Sequence, residues 1–146
     1  MDRHCLGAAR RGYRLVGLAI MPAVLGYAGL MGLLSVLLAN HVLWARLRAG
    51  RLPAWQPGAA ERVQGNFTEN VPLALLLLLL VELGGAPVSF VHICGSALVI
   101  LRLLHAWGLA RYEGANYPRL IGAQGTFVLV SILAMTCLIQ AGLAWN

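Results

Sequence analysis

Apolar positions in this chain come in long unbroken runs, not in strict alternation or in one-sided stripes. Four segments stand out: about Leu15–Ala45, Arg62–Leu83, Val88–Leu109 and Ile121–Leu143. Each is long enough for a bilayer-spanning helix, which needs about 20 residues at about 1.5 Å each. Their length and hydropathy predict helices that cross a bilayer rather than helices lying on a soluble core. They use nearly the whole chain. The expected fold is therefore all-α, an integral membrane four-helix bundle forming a single domain over residues 1–146, with a basic tail over residues 1–14.

The punctuation between the runs fits this plan. Gly84-Gly-Ala-Pro87 is an uncharged tight turn that makes helices 2 and 3 an antiparallel hairpin. Pro22 suits the first turn of helix 1, and Gly50–Gly58, with Pro53, Trp55 and Pro57, is the largest connection. Asn116 is placed to cap helix 4, with Pro118 in its first turn. The run in front of helix 2 breaks the pattern. Leu73–Val81 alone is too short to span, so the helix must reach back and carry Arg62, Asn66, Glu69 and Asn70 against or into the membrane. Polar groups at that depth cost about 2.5–3.5 kcal/mol each on insertion scales, and they normally face a bundle interior or a wet cavity.

At 100° per residue, Arg62, Asn66, Glu69 and Leu73 fall within about 60° of one another, with Asn70 beside them. Gln64 points to a different wall. Pro72 withholds an N–H and crowds the Thr68 carbonyl, which predicts a kink beside Glu69. The alternative reading of the stretch is an interfacial helix start with solvated charges.

Composition narrows the function classes. The chain is 60% hydrophobic with a mean hydropathy of +0.76, against about 45–50% apolar residues in soluble domains. Net charge is +6 and all eleven basic residues are arginine; in a membrane protein this speaks of topology and anionic headgroups. No nucleic-acid motif is present, so nucleic acid is not an expected partner. Cys5, Cys94 and Cys137 lack C-x-x-C or Cys/His spacing, and neither a metal site nor a disulfide framework is expected. Arg46, Arg48, Arg51, Arg62, Arg111 and Arg119 favour the 1–2 and 3–4 loops as cytoplasmic. The tail, with Arg3, Arg10, Arg11 and Arg14, opposes them, a conflict that initiation at Met21 would remove.

Helix 3 closes with Arg102-Leu-Leu-His105, an i, i+3 pair on one face. An arginine in the last turns of a span must snorkel or pair, and Glu69 is the acidic residue at comparable depth, so a Glu69–Arg102 pair is expected. His105 reads first as a packed or interfacial histidine. Arg119 sits in the first turn of helix 4, where the dipole disfavours a cation; such a placement gathers positive potential for an anion.

The pattern Arg62-x-Gln64-x-Asn66-x-x-Glu69-x-x-Pro72 resembles that of the MAPEG family, the membrane-associated proteins in eicosanoid and glutathione metabolism. The likeness extends to the four-helix plan, to Arg46-x-Arg48 closing helix 1 and to Arg102-x-x-His105 closing helix 3; Val91-His-Ile-Cys-Gly95 is similar to the small bacterial branch. The resemblance implies a homotrimer in the bacterial inner membrane, with glutathione as cosubstrate bound between subunits near the cytoplasmic face. Carried over by position, it assigns glutathione binding to Arg46, Arg62, Asn66 and Glu69, with Gln64 reaching the ligand from the neighbouring subunit; Asn70, Arg102 and His105, beside them or at the same end, complete the candidate binding set. Arg119 takes the place of the thiol-activating, catalytic arginine. The chain departs from eicosanoid-type members where their tyrosine after the glutamate is Asn70 here. Tyr112 and Tyr117 also lie out of register with the tyrosines before the catalytic arginine. The implied activity is glutathione transferase or peroxidase chemistry on lipophilic electrophiles that arrive from the bilayer. The alternative is a non-enzymatic trimeric membrane protein that keeps the fold and an anionic ligand site.

Overall fold

A computed structural model describes residues 22–48, 57–111 and 116–144. Four long helices fill them: α1 (Pro22–Arg48), α2 (Pro57–Leu83), α3 (Val88–Arg111) and α4 (Tyr117–Ala144). All four are long and apolar enough to cross a membrane, and they form an antiparallel four-helix bundle. The expected start of the first run before residue 22, the details of the 1–2 connection and Tyr112 lie outside the described residues.

The boundaries follow local chemistry. Prolines stand in the opening turns of α1, α2 and α4, where a missing N–H costs nothing. Helix α2 stops in a Schellman arrangement: the Ala86 N–H donates to the Val81 carbonyl (3.2 Å) and the Gly85 N–H to the Glu82 carbonyl (3.0 Å). Gly85 has φ +87°, a conformation that admits glycine without a side-chain clash. The expected 2–3 turn is therefore present and chemically explained. At the start of α4, Asn116 Oδ1 accepts from the Arg119 N–H at 2.9 Å, the predicted cap.

Helix α2 is the central element. Val63, Phe67, Val71, Ala74, Leu78 and Val81 turn inward along it, against Val91, Cys94 and Leu98 of α3, Met31 of α1 and Leu129 and Leu133 of α4. Large apolar side chains such as Leu33, Leu37, Ile93, Ile100 and Leu138 point outward instead. Lipid tails are as apolar as leucine, so dispersion and close fit, more than desolvation, stabilise this core within a membrane. Glycines allow the closest approach: a Cβ on Gly122 would lie 2.6 Å from the His105 backbone nitrogen. That contact draws α4 onto the part of α3 that bears the candidate polar residues. Pro72 lies within α2, and the Thr68 hydroxyl, one turn earlier, donates back to the Gly65 and Gln64 carbonyls (2.9 and 3.1 Å). Such back-bonding keeps the hydroxyl from standing unpaired in hydrocarbon.

Candidate functional site

The rotation of α2 sorts the polar residues of its first half. The apolar stripe from Val63 to Val81 fixes which face meets the bundle, and Asn66 and Asn70 fall at its edge, half-buried. Arg62 and Glu69 turn outward and are exposed. Gln64 is half-buried, and its Oε1 is enclosed without a partner among the described residues.

Arg102 is 2% exposed, near the start of α3's second half. Its Nη2 donates to Asn66 Oδ1 at 2.8 Å, and its Nε is enclosed without a protein partner among the described residues. The expected Glu69–Arg102 ion pair is absent. The physical reason is geometric: burying Val63, Phe67 and Val71 brings Asn66 to the α3 side and swings Glu69 outward. Among the described residues the ion pair present is instead Arg46 Nε to Glu61 Oε1, 2.8 Å, both side chains exposed. Arg46 thus ties the end of α1 to the start of α2. Nearby, Arg48 lies 4.3 Å over the Trp44 ring, a cation–π contact suited to a membrane interface.

One turn beyond Arg102, His105 is 3% exposed. Its Nδ1 lies 3.0 Å from the Arg119 carbonyl, and its Nε2 is enclosed without a partner among the described residues. The carbonyl can only accept, so Nδ1 carries a proton. Asn116, besides capping Arg119, donates its amide to the Gly108 carbonyl at 3.1 Å. Asn70 spends its amide on the Asn66 carbonyl, 2.8 Å, within its own helix.

Two separate polar contacts tie α3 to its neighbours: Arg102 bonds Asn66 of α2, and His105, one turn on, bonds the Arg119 main-chain carbonyl of α4. Arg119 also lines an open cavity of about 520 Å³ together with Asn116, Tyr117, Leu120 and Ala123. That size is within the usual range for small-molecule sites, about 300–1,000 Å³. The bundle therefore brings Asn66, Arg102, His105 and Arg119 together. It leaves Arg46, Arg62 and Glu69 on the outer surface of the bundle.

The matching family model is the MAPEG family, over residues 24–139. The chain belongs to the MAPEG family. It is also similar to inner membrane protein YecN from two Escherichia coli strains, 44% identical in each case over 50 residues. That match covers 34% of this chain, and the chain spans only 38% of the length of those relatives. No solved structure matches. With four apolar spans, this member of the family is an integral, multi-pass membrane protein.

Two features escaped the sequence reading. Glu82, one residue before the end of α2, is 4% exposed, and its Oε2 accepts the Val24 N–H at 3.2 Å, capping α1 from another helix. On the outside of the same end, Tyr27 Oη lies 2.9 Å from Ser96 Oγ and 3.1 Å from His92 Nδ1. Neither contact is signalled by local sequence, since the partners are 58 to 69 positions apart. Leu120 and Ala123 of the cavity wall were hidden differently: they look like any other lipid-facing positions of α4.

Proposed function

We propose that this MAPEG protein binds glutathione and activates its thiol for attack on lipophilic electrophiles. Arg102 is the observation that carries the reading. A guanidinium 2% exposed within a membrane span, held by a neutral amide and not by a carboxylate, is an uncompensated positive charge. An anionic ligand at the same end of the bundle supplies the missing charge, and glutathione brings two carboxylates and a thiolate. Asn66 and Arg102 hold the tripeptide on one side, and Arg119 faces its sulfur on the other.

The chemistry asks little of the protein. A free thiol has a pKa of about 8.5, and the thiolate is the nucleophile. Lowering that pKa by about two units makes thiolate dominant at neutral pH, for about 2.7 kcal/mol of differential stabilisation. One arginine at the first turn of a helix is a reasonable source of that amount. The thiol proton leaves to solvent and the sulfur attacks an electrophilic carbon. A carbon–sulfur bond forms as the leaving group departs with its bonding electrons. The mostly apolar cavity beside Arg119 is the place for a substrate arriving from the bilayer.

Assembly is part of the proposal. Glu69 lies about 18 Å along α2 from Pro57, deep within a span, yet it is exposed on the single subunit. A homotrimer would cover it and Arg62 with the neighbouring subunit and make the glutathione site a shared one. The arginine-bearing end of the bundle is then cytoplasmic, in a bacterial inner membrane. Isothermal titration of glutathione into purified protein, followed by conjugation of chlorodinitrobenzene, tests the reading. Binding without turnover would favour a non-enzymatic trimer with an anionic ligand, and no binding would end both.

A further inference from the structure

Arg119 is held by its main chain from both sides. Its N–H donates to Asn116 Oδ1 at 2.9 Å, and Asn116 is itself tied to the Gly108 carbonyl of α3. Its carbonyl accepts from His105 Nδ1 at 3.0 Å, again from α3. The first bond is ordinary capping, because the opening N–H groups of a helix have no partner of their own. The second is not required by the helix. The Arg119 carbonyl already serves the helical ladder of α4, and His105 takes up its remaining lone pair.

The imidazole is also a costly way to fill that space. His105 is 3% exposed and its Nε2 is enclosed without a partner among the described residues, so a leucine would pack there without leaving a polar atom unpaired. What the ring gains is the Nδ1–H bond alone. The helices are close enough for it because two positions lack a Cβ. On Gly108 one would lie 2.6 Å from the Arg119 nitrogen, and on Gly122 one would lie 2.6 Å from the His105 Cβ. The main chain of Arg119 is thus clamped to α3 at the wall of an open cavity that this residue lines.

We infer that His105 and Asn116 are positioning residues that lock the Arg119 main chain to α3 and so pre-orient its guanidinium toward the substrate sulfur. The inference rests on the proposed glutathione chemistry. Misplacing a reactive group by about 1 Å can cost on the order of 10²-fold in rate, so a clamp on the backbone reads out as kcat.

The test uses the full-length protein with glutathione and chlorodinitrobenzene, and follows the ultraviolet absorbance of bound thiolate. His105→Leu keeps the volume and removes the donor. It should lower kcat about tenfold and raise the apparent pKa of the bound thiol by about one unit, with the glutathione Kd within a few-fold. His105→Asn places an amide N–H where Nδ1 stood and should restore most of the rate; His105→Gln, whose amide reaches the Nε2 position, should not. Asn116→Ala should act in the same direction as His105→Leu, and the two substitutions together should not add in full. The clamp is overturned if His105→Leu leaves kcat and the thiolate band unchanged, if Asn and Gln rescue equally, or if Kd rises well beyond a few-fold while kcat holds. Should His105→Leu fail to fold, the Asn/Gln pair and Asn116→Ala carry the test. An Arg119→Ala variant measured alongside separates the two levels. If it leaves the thiolate band intact, the proposed chemistry has failed and the clamp with it; if it abolishes the band while the His105 variants are silent, only the clamp has failed.

Discussion

Among the described residues, a buried carboxylate near one end of the bundle and a buried guanidinium in the half toward the other are completed in different ways. Glu82, near the Gly84–Pro87 turn, is 4% exposed and accepts the backbone N–H of Val24 at the start of α1. Arg102, toward the arginine-bearing end, is 2% exposed and, among the described residues, is bonded to the Asn66 amide and to no carboxylate. The carboxylate lies beside a helix N-terminus, where unpaired N–H groups and the positive end of the dipole are at hand. The guanidinium lies along the middle of a span, where the backbone acceptors are already used by the helices around it. A buried charge at a helix end is thus explained by the fold alone. The same burden in mid-helix is not, and the proposed anionic ligand would answer it. The far end carries a structural clasp, reinforced by Gln140 Nε2 donating to the Val81 carbonyl at 3.1 Å; the near end carries the proposed ligand site.

The largest effect expected at the near end belongs to Arg119→Ala. Conjugation should fall by about 10²-fold while glutathione affinity stays within a few-fold, matching the loss of about 2.7 kcal/mol of thiolate stabilisation. Steady-state kinetics with ultraviolet difference spectra measure both; unchanged rate and spectrum would make Arg119 a topogenic charge only.

Arg102→Met sharpens the contrast between the ends. Glutathione affinity should drop about 10–30-fold, since the charge that draws the ligand is gone, at about 1.4 kcal/mol per factor of ten. The thermal midpoint without glutathione should hold or rise, because a poorly compensated charge has left a low-dielectric interior. A large fall in that midpoint would mean that Arg102 is structural after all, as Glu82 is.

Asn66 and Arg102 should also be energetically coupled. A double-mutant cycle on thermal stability is expected to give about 1.5–3 kcal/mol for a hydrogen bond to a charged group. The same cycle for Glu69 and Arg102 should give close to zero in the isolated subunit, and a reversed ranking would contradict the rotation of α2 described above.

At the other end, Glu82→Ala removes a cap and should lower stability by about 1 kcal/mol with no change in glutathione affinity. Denaturation in detergent and calorimetric titration distinguish the two. The smallest effect is expected from breaking the exposed Arg46–Glu61 pair with Glu61→Gln, within about 0.5 kcal/mol of unchanged stability.

Some of this molecule was legible residue by residue. The four spans, the glycine turn after α2, the Asn116 cap and the family motif all depend on chemistry within a few positions, and the structure agrees with each span from residue 22 onward. The sequence by itself determined these because hydropathy, turn geometry and capping are local properties, fixed before any helix meets another. It also placed Arg102, His105 and Arg119 as candidates, since charge inside an apolar run needs a reason. Only the tertiary structure decided who meets whom. Counting 100° per residue groups Asn66 with Glu69 but cannot say which of them faces α3; that depends on how Val63, Phe67 and Val71 seat α2 in the bundle. Nor does any local pattern announce that His105 reaches the Arg119 carbonyl or that Glu82 caps α1. Those contacts exist because glycine-lined packing and antiparallel stacking bring distant helix ends together, and the rotation of each helix about its own axis is settled by the whole core at once.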